Sequence, residues 1–153
     1  MELHRVRPND PEVTPLLHGL TREYQSRYGD GDEMVSVDDE EFEPPGGLFI
    51  VLLEAGVTVA GGALRRLSAD TGEIKRMWTA PGHRRQGLAT VVLDALEEAA
   101  REFGYSYIRL ETGPAQPEAR SLYEQRGYSR IATYGRYAQA AAFEHRIVSE
   151  AGL

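Results

Sequence analysis

Among the 153 residues there is no cysteine. That excludes a disulfide framework, a thiol nucleophile, an iron–sulfur cluster and a zinc ribbon together. No apolar run approaches the roughly 18 residues of a membrane-spanning helix, so no membrane association of that kind is expected. Met1–Asp10 lacks the pattern of a secretory signal, which makes the cytoplasm the expected compartment. Lysine is nearly absent as well: Lys75 stands alone against sixteen arginines. This reads as codon bias and carries no functional expectation. The few histidines, His4, His18, His83 and His145, show no metal-ligand spacing, so no metal site is expected.

What is present is an ordinary globular composition. Apolar residues make up 41% and charged residues 27%, which argues against wholesale disorder and for one domain over residues 1–153. The net charge of −7 has one main source. Eight acids (Asp30, Asp32, Glu33, Asp38, Asp39, Glu40, Glu41, Glu43) lie in a stretch without a base, and the rest of the chain is nearly neutral. An acidic protein is a poor candidate for nucleic-acid binding, which relies on neutralising phosphates.

Leu3–Arg7 alternates as a short strand should. Proline at 11 or 15 offers two helix starts, and Val13, Leu16, Leu17, Leu20, Tyr24 and Tyr28 then recur at spacings of three and four, with Gly29 as a stop. Asp30–Glu43 is an acidic loop closed by Pro44-Pro45-Gly46-Gly47. Leu48–Leu53 and Val57–Leu67 read as a hairpin, with Gly61-Gly62 hinting at a bulge. After a turn at Asp70-Thr71-Gly72, Glu73–Thr79 forms a strand. Simple alternation sets Glu73, Lys75, Met77 and Thr79 on one face and Ile74, Arg76 and Trp78 on the other. A helix begins near Gly87 and stops at Gly104; a strand at Tyr105–Thr112, a turn at Gly113-Pro114 and a helix at Pro117–Arg126 follow. Tyr128–Thr133 and roughly Ala140–Val148 are the final strands. The order β-α-ββ-β-α-β-α-β-β implies a mixed α/β (α+β) fold, helices flanking a central sheet.

The segment Arg84-Arg85-Gln86-Gly87-Leu88-Ala89 joins a strand to a helix. A helix N-terminus exposes backbone N–H groups and a fractional positive charge, which suits a pyrophosphate; small residues at 87 and 89 let a ligand approach. With its strand and proline turn, Met77-Trp78-Thr79-Ala80-Pro81, this segment resembles the pattern Gln/Arg-x-x-Gly-x-Gly/Ala of the GCN5-related N-acetyltransferase (GNAT) superfamily. A second motif follows in the right order. The family's Asn-x-x-Ala-x-x-Leu-Tyr-x-x-x-Gly-Phe/Tyr is matched by Gln116, Ala119, Leu122, Tyr123, Gly127 and Tyr128. The resemblance covers roughly Leu48 to Val148.

The resemblance implies transfer of an acetyl group from acetyl-CoA to a primary amine by direct attack in a ternary complex, within a sheet whose middle strands splay apart. It implies that backbone groups of Met77, Trp78 and Thr79 hold the pantetheine and acetyl carbonyl. The amides of Arg84, Arg85, Gln86, Gly87, Leu88, Ala89 and Thr90 would cradle the pyrophosphate. Gln116 replaces the usual cofactor-contacting Asn and is one methylene longer; Arg85 replaces a common glycine. The acceptor is a small-molecule or peptide amine, and the final strands commonly associate in relatives, which leaves a homodimer open.

The chemistry needs a base and an acid. An amine of pKa near 10.4 is neutral in only about one part in 2,500 at pH 7, a deficit of ~4.6 kcal/mol that a base partly recovers. Glu73 lies where histone-modifying relatives place a catalytic glutamate and is the first candidate, directly or through a water; Glu111 is the second. Glu73 reads equally as an ion-pair partner for Lys75 or Arg76. By the resemblance, Tyr123 is the acid that protonates the departing thiolate; without the motif it would read as packing. The acidic loop is either a surface steering cationic substrates or a solvated segment. Tyr134, Arg136 and Tyr137 lie in a loop that often lines the acceptor pocket in relatives. Two rival readings are a catalytically inactive module of the same fold that binds acetyl-CoA as a sensor, and an arginine-rich nucleic-acid contact at Lys75–Arg85.

Overall fold

The computed structural model describes residues 1–28, 39–113, 117–135 and 139–147. Among them, seven strands form one mixed sheet: β1 (Glu2–Val6), β2 (Leu48–Glu54), β3 (Val57–Ser68), β4 (Thr71–Thr79), β5 (Tyr107–Thr112), β6 (Ser129–Ile131) and β7 (Ala141–Arg146). The helices are α1 (Thr14–Tyr28), α2 (Leu88–Glu102) and α3 (Pro117–Gln125). The order across the sheet is β1-β2-β3-β4-β5-β7-β6. Neighbours are antiparallel except β4 and β5, which run parallel because α2 carries the chain back between them. The element order matches the sequence expectation.

The sheet divides two apolar layers. Leu48, Ile50 and Leu52 of β2 point into a core shared with α2, β5, α3 and β7, built on Leu93, Leu96, Ile108, Leu110, Tyr123 and Phe143. Phe49, Val51 and Leu53 point the other way, toward Val13, Leu16 and Leu20 of the α1 segment. The unbroken apolar run of β2 therefore reflects burial on both faces. Each fully buried Leu, Ile or Phe among these contributes roughly 1.5–3 kcal/mol. Both prolines serve the first helix: Pro11 opens a 3-10 turn over Pro11–Val13, and Pro15 falls in the first turn of α1. The side chains of Tyr24 and Tyr28, the stop at Gly29 and acidic residues 30–38 lie outside the described residues. Asp39–Phe42 form a 3-10 turn that buries Phe42.

Three expectations need correction. The hairpin between β3 and β4 turns at Ala69-Asp70, not at Asp70–Gly72, and the ladder closes with Ser68 opposite Thr71. Tyr105 precedes its strand; fully buried, it donates its hydroxyl to Gly46 O at 2.5 Å. The face alternation of β4 also fails. Gly61 faces Trp78 and Ala63 faces Lys75, so β4 carries one residue more than β3 between those pairs. Arg76 takes up the extra residue with φ of 62°. Such a bulge inverts the alternation beyond it: Ile74 and Met77 pack on the α2 side, while Trp78 packs on the α1 side. The bulge hinted at by Gly61-Gly62 is real, but its extra residue belongs to the partner strand.

Candidate active site

The parallel ladder between β4 and β5 pairs only Thr71 with Tyr107, Gly72 with Ile108 and Glu73 with Arg109. Past Glu73 the strands separate, so Lys75–Thr79 of β4 and Leu110–Thr112 of β5 face each other across a fork. The bulge at Arg76 sits just inside its mouth and turns β4 away. A strand edge left unladdered inside a sheet presents backbone donors and acceptors to whatever enters. This is the geometry in which Met77, Trp78 and Thr79 were expected to act through their backbone. The Trp78 side chain is not part of it, being buried against α1.

The start of α2 lies at the end of β4. Gly87 caps the helix without a side-chain hydrogen bond, at φ 78° and ψ 12°. A Cβ there would meet nothing within 4 Å, so glycine is needed for the left-handed backbone and not for space. Val91 N–H makes the first intrahelical bond, to Gly87 O at 3.2 Å. The amides of Leu88, Ala89 and Thr90 precede it and point out of the helix end. Arg84, Arg85, Gln86 and Gly87 are exposed around this opening. Arg85 holds φ of 64°, at the position where the resemblance gives glycine. The Arg84 guanidinium is engaged elsewhere: it pairs with Glu23 of α1, and its Nε donates to Thr79 O at 3.3 Å. Its side chain thus braces the turn, and its backbone faces the opening. Gln116 lies outside the described residues.

On the α1 side of the fork, Glu73 is 3% exposed. Arg65 Nε donates to its Oε1 at 2.8 Å, and the Tyr134 hydroxyl donates to Oε2 at 2.7 Å. Lys75 Nζ lies 3.9 Å from Oε1. Arg65 also meets Glu41 at 2.8 Å. Burial and the neighbouring Glu73 carboxylate hold the Tyr134 hydroxyl protonated, well above the usual phenol range. Burial lowers the Lys75 ammonium from its usual value against the opposing pull of Glu73. Glu111, half-buried on β5, accepts the Gly135 N–H at 3.2 Å. Arg109 pairs with Glu144 at 2.7 Å and stacks over the Tyr134 ring, 5.5 Å from its centroid. The loop after β6 is thereby fastened across the fork at two points; its residues Arg136 and Tyr137 lie outside the described ones.

Tyr123 stands on the opposite, α2 side, 4% exposed. Its ring packs at 5.6 Å from Tyr128 and 6.1 Å from Phe143, and burial raises its hydroxyl above the usual phenol range. Behind it, Tyr128 donates to Glu97 at 2.9 Å, while Arg126 pairs with Asp94 and reaches Glu97 at 3.4 Å. These bonds clamp the end of α3 to α2 and so fix the Tyr123 ring. The expected acid and the first expected base therefore lie on opposite sides of the sheet. Sequence reasoning missed Arg65, Arg109 and the Tyr134–Glu73 bond. It had paired Glu73 with Lys75 or Arg76, and the nearer partner is Arg65. Among the described residues no group of three or more His, Asp or Glu side chains is arranged to hold a metal ion, and no helix is long and apolar enough to cross a membrane.

Comparison with known proteins agrees with this geometry. The chain is 39% identical over 87 residues to the uncharacterized N-acetyltransferase YsnE of Bacillus subtilis, a match spanning 55% of this chain and 58% of that protein. Over 147 residues it is 30% identical to the uncharacterized N-acetyltransferase YjgM of Escherichia coli, covering 84% of this chain and 88% of that one. A Klebsiella pneumoniae structure assigned as an acyl-CoA N-acyltransferase superposes with a TM-score of 0.78 at 24% identity, over 96% of this chain and 97% of the other. An aminoglycoside 6'-N-acetyltransferase complexed with coenzyme A superposes with a TM-score of 0.76 at 15% identity, over 97% and 98%. The model of the acetyltransferase (GNAT) family matches residues 14–128. This chain belongs to the GNAT family of acetyltransferases.

Proposed function

We propose that the protein transfers an acetyl group from acetyl-CoA to a primary amine, by direct attack within a ternary complex. One observation carries the reading: a fork between β4 and β5 ends beside a helix N-terminus whose glycine cap leaves its first amides free of intrahelical bonds. The residues fit the coenzyme. The amides of Arg84 through Thr90, with Arg85 beside them, suit a diphosphate, and the unladdered edge at Met77, Trp78 and Thr79 suits a chain of amides. When bound, acetyl-CoA supplies an activated acyl group and a thiolate that leaves as the amine attacks.

The chain's own residues then divide the proton work. Glu73 carries a negative charge at the α1 side of the fork, where it attracts an ammonium acceptor. With Arg65 on one oxygen and Tyr134 on the other, it takes a proton through a water more readily than by direct contact. Glu111 is the second candidate, two residues past Arg109, the last β5 residue laddered to β4. Tyr123 donates from the α2 side. Tyr134 and Gly135 fasten the loop after β6 to Glu73 and Glu111 on the acceptor side.

The test is a panel of amines (N-terminal peptides, polyamines and aminoglycosides) with acetyl-CoA, free thiol being the readout. Amine-dependent thiol release supports the reading. A rise in melting temperature with acetyl-CoA but no thiol release with any amine would point instead to a binding module.

A further inference from the structure

Sixteen of the seventeen basic side chains are arginine, which has no amine to acylate, and the single lysine stands inside the fork. Lys75 lies on β4 two residues past the last rung shared with β5, next to the bulge at Arg76 and two residues before Met77. Its register partner Ala63 belongs to the α1-side core, so its side chain shares the α1 face with Glu73. Nζ sits 3.9 Å from Glu73 Oε1, at the limit of an ion pair, while Arg65 holds the same oxygen at 2.8 Å. Lys75 therefore adds little to the anchoring of Glu73. Among the described residues it is the amine nearest the candidate base, in the position that an acceptor amine has to reach.

We propose that Lys75 is itself an acetyl acceptor, modified in cis within the fork of its own chain. This rests on the coenzyme reading above. The Nζ lone pair forms a C–N bond to the thioester carbonyl carbon as the C–S bond breaks. One ammonium proton leaves to solvent through Glu73 before attack, and the second ends on the departing sulfur. The products are Nε-acetyl-Lys75 and free coenzyme A, and no oxidant or further reactant is needed. Burial, with Arg65 and Arg76 nearby, favours the neutral amine that attack requires, while Glu73 and Glu111 oppose it. Once acetylated, Lys75 has no charge, and its acetamide occupies the space beside Glu73.

The full chain is incubated with acetyl-CoA and no acceptor, then read by intact mass and peptide mapping. The only other amine in the chain is the Met1 terminus, so the adduct has two addresses. Expected are one acetyl group on the peptide bearing Lys75, a rate constant unchanged on tenfold dilution, suppression by excess free CoA, and no adduct on K75R. Without any coenzyme, labelling by acetic anhydride as a function of pH should give Lys75 a midpoint below that of free lysine. Acetyl-CoA that raises the melting temperature yet leaves Lys75 unmodified overturns the inference and leaves the coenzyme reading standing. Acetylation at Met1 alone, or at Lys75 but indifferent to excess CoA, also overturns it. Absence of any thermal shift removes the coenzyme reading itself.

Discussion

Replacing Tyr123 by Phe removes one oxygen and leaves the ring. The ring is what the fold uses: it packs against Tyr128 and Phe143 in a site that is 4% exposed. Losing a single hydroxyl interaction costs about 1 ± 0.5 kcal/mol, so the melting temperature should move by only a few degrees. Catalysis should respond on another scale. A positioned acid contributes about 10²- to 10⁴-fold, or ~2.7–5.4 kcal/mol of transition-state stabilisation. The direction of the pKa shift refines this. Burial raises the phenol above its usual value near 10, whereas a free thiol ionises near 8.5, so complete transfer to a thiolate is uphill by at least ~2 kcal/mol. Tyr123 is therefore expected to hydrogen-bond to the sulfur as charge develops, and to pass its proton only as the bond breaks. Two measurements check this: kcat by thiol release at saturating acceptor, and acetyl-CoA affinity by calorimetry. Expected is a 10²- to 10⁴-fold fall in kcat with affinity nearly unchanged, and no alkaline limb from Tyr123 below about pH 10. Turnover near that of the parent, or a loss confined to KM, would refute the assignment.

Three further outcomes follow from particular contacts. Gly87→Asp should fold, since Asp caps helices well and tolerates the left-handed region, yet its carboxylate would sit in the anion seat; acetyl-CoA affinity should fall at least ~10-fold, about 1.4 kcal/mol, by calorimetry. In α1, a Cβ on Gly19 overlaps the indole of Trp78; overpacking of ~1–3 kcal/mol should outweigh the ~1 kcal/mol helix gain of Gly19→Ala, and thermal denaturation should show a lower melting temperature. Tyr123 and Tyr128 are both buried with raised pKa values. Tyr105 and Tyr134 are raised as well. A raised folded pKa stabilises fully below the unfolded value near 10 and is lost as pH rises toward the folded value, so above pH 10 stability in urea should fall by about 1.4 kcal/mol per pH unit for each of these phenols that the fold keeps protonated. A flat profile from pH 9 to 11 would contradict these burials.

The sequence was most legible where chemistry is local. A helix start, a proline turn and a glycine cap act within a few residues, so the turn at Arg84–Gly87 and the Leu122-Tyr123 helix could be placed from spacing alone. What was misread depends on counting across a hairpin. A turn at Ala69-Asp70 with regular pairing would set Arg66 opposite Glu73; a further register shift between Arg66 and Ser68 brings Arg65 there instead, and with it the nearest ion-pair partner. The displaced turn and the irregularity beside it together hid the pairing. The bulge at Arg76 was invisible for a related reason. Gly62 marks it only because a Cβ there would come within 2.6 Å of Met77 Sδ, a fact of packing that no alternation pattern encodes.

That bulge connects the fold to the chemistry. Before it, β4 points Glu73 and Lys75 to the α1 face; beyond it, Met77 packs toward α2 and Trp78 toward α1. A regular strand would have put Trp78 on the Ile74 face, where it would collide with the α2 core instead of filling the space over Gly19. It would also have kept β4 straight, and a straight β4 could continue its ladder with β5 and close the fork. The left-handed Arg76 costs about 1–2 kcal/mol of backbone strain. The burial of Trp78 on the α1 side, at roughly 1.5–3 kcal/mol for a side chain fully removed from water, offsets it, and the partly buried Met77 on the α2 side adds to this. The same residue that breaks the strand pattern therefore opens the site, and the cores on both sides hold it open.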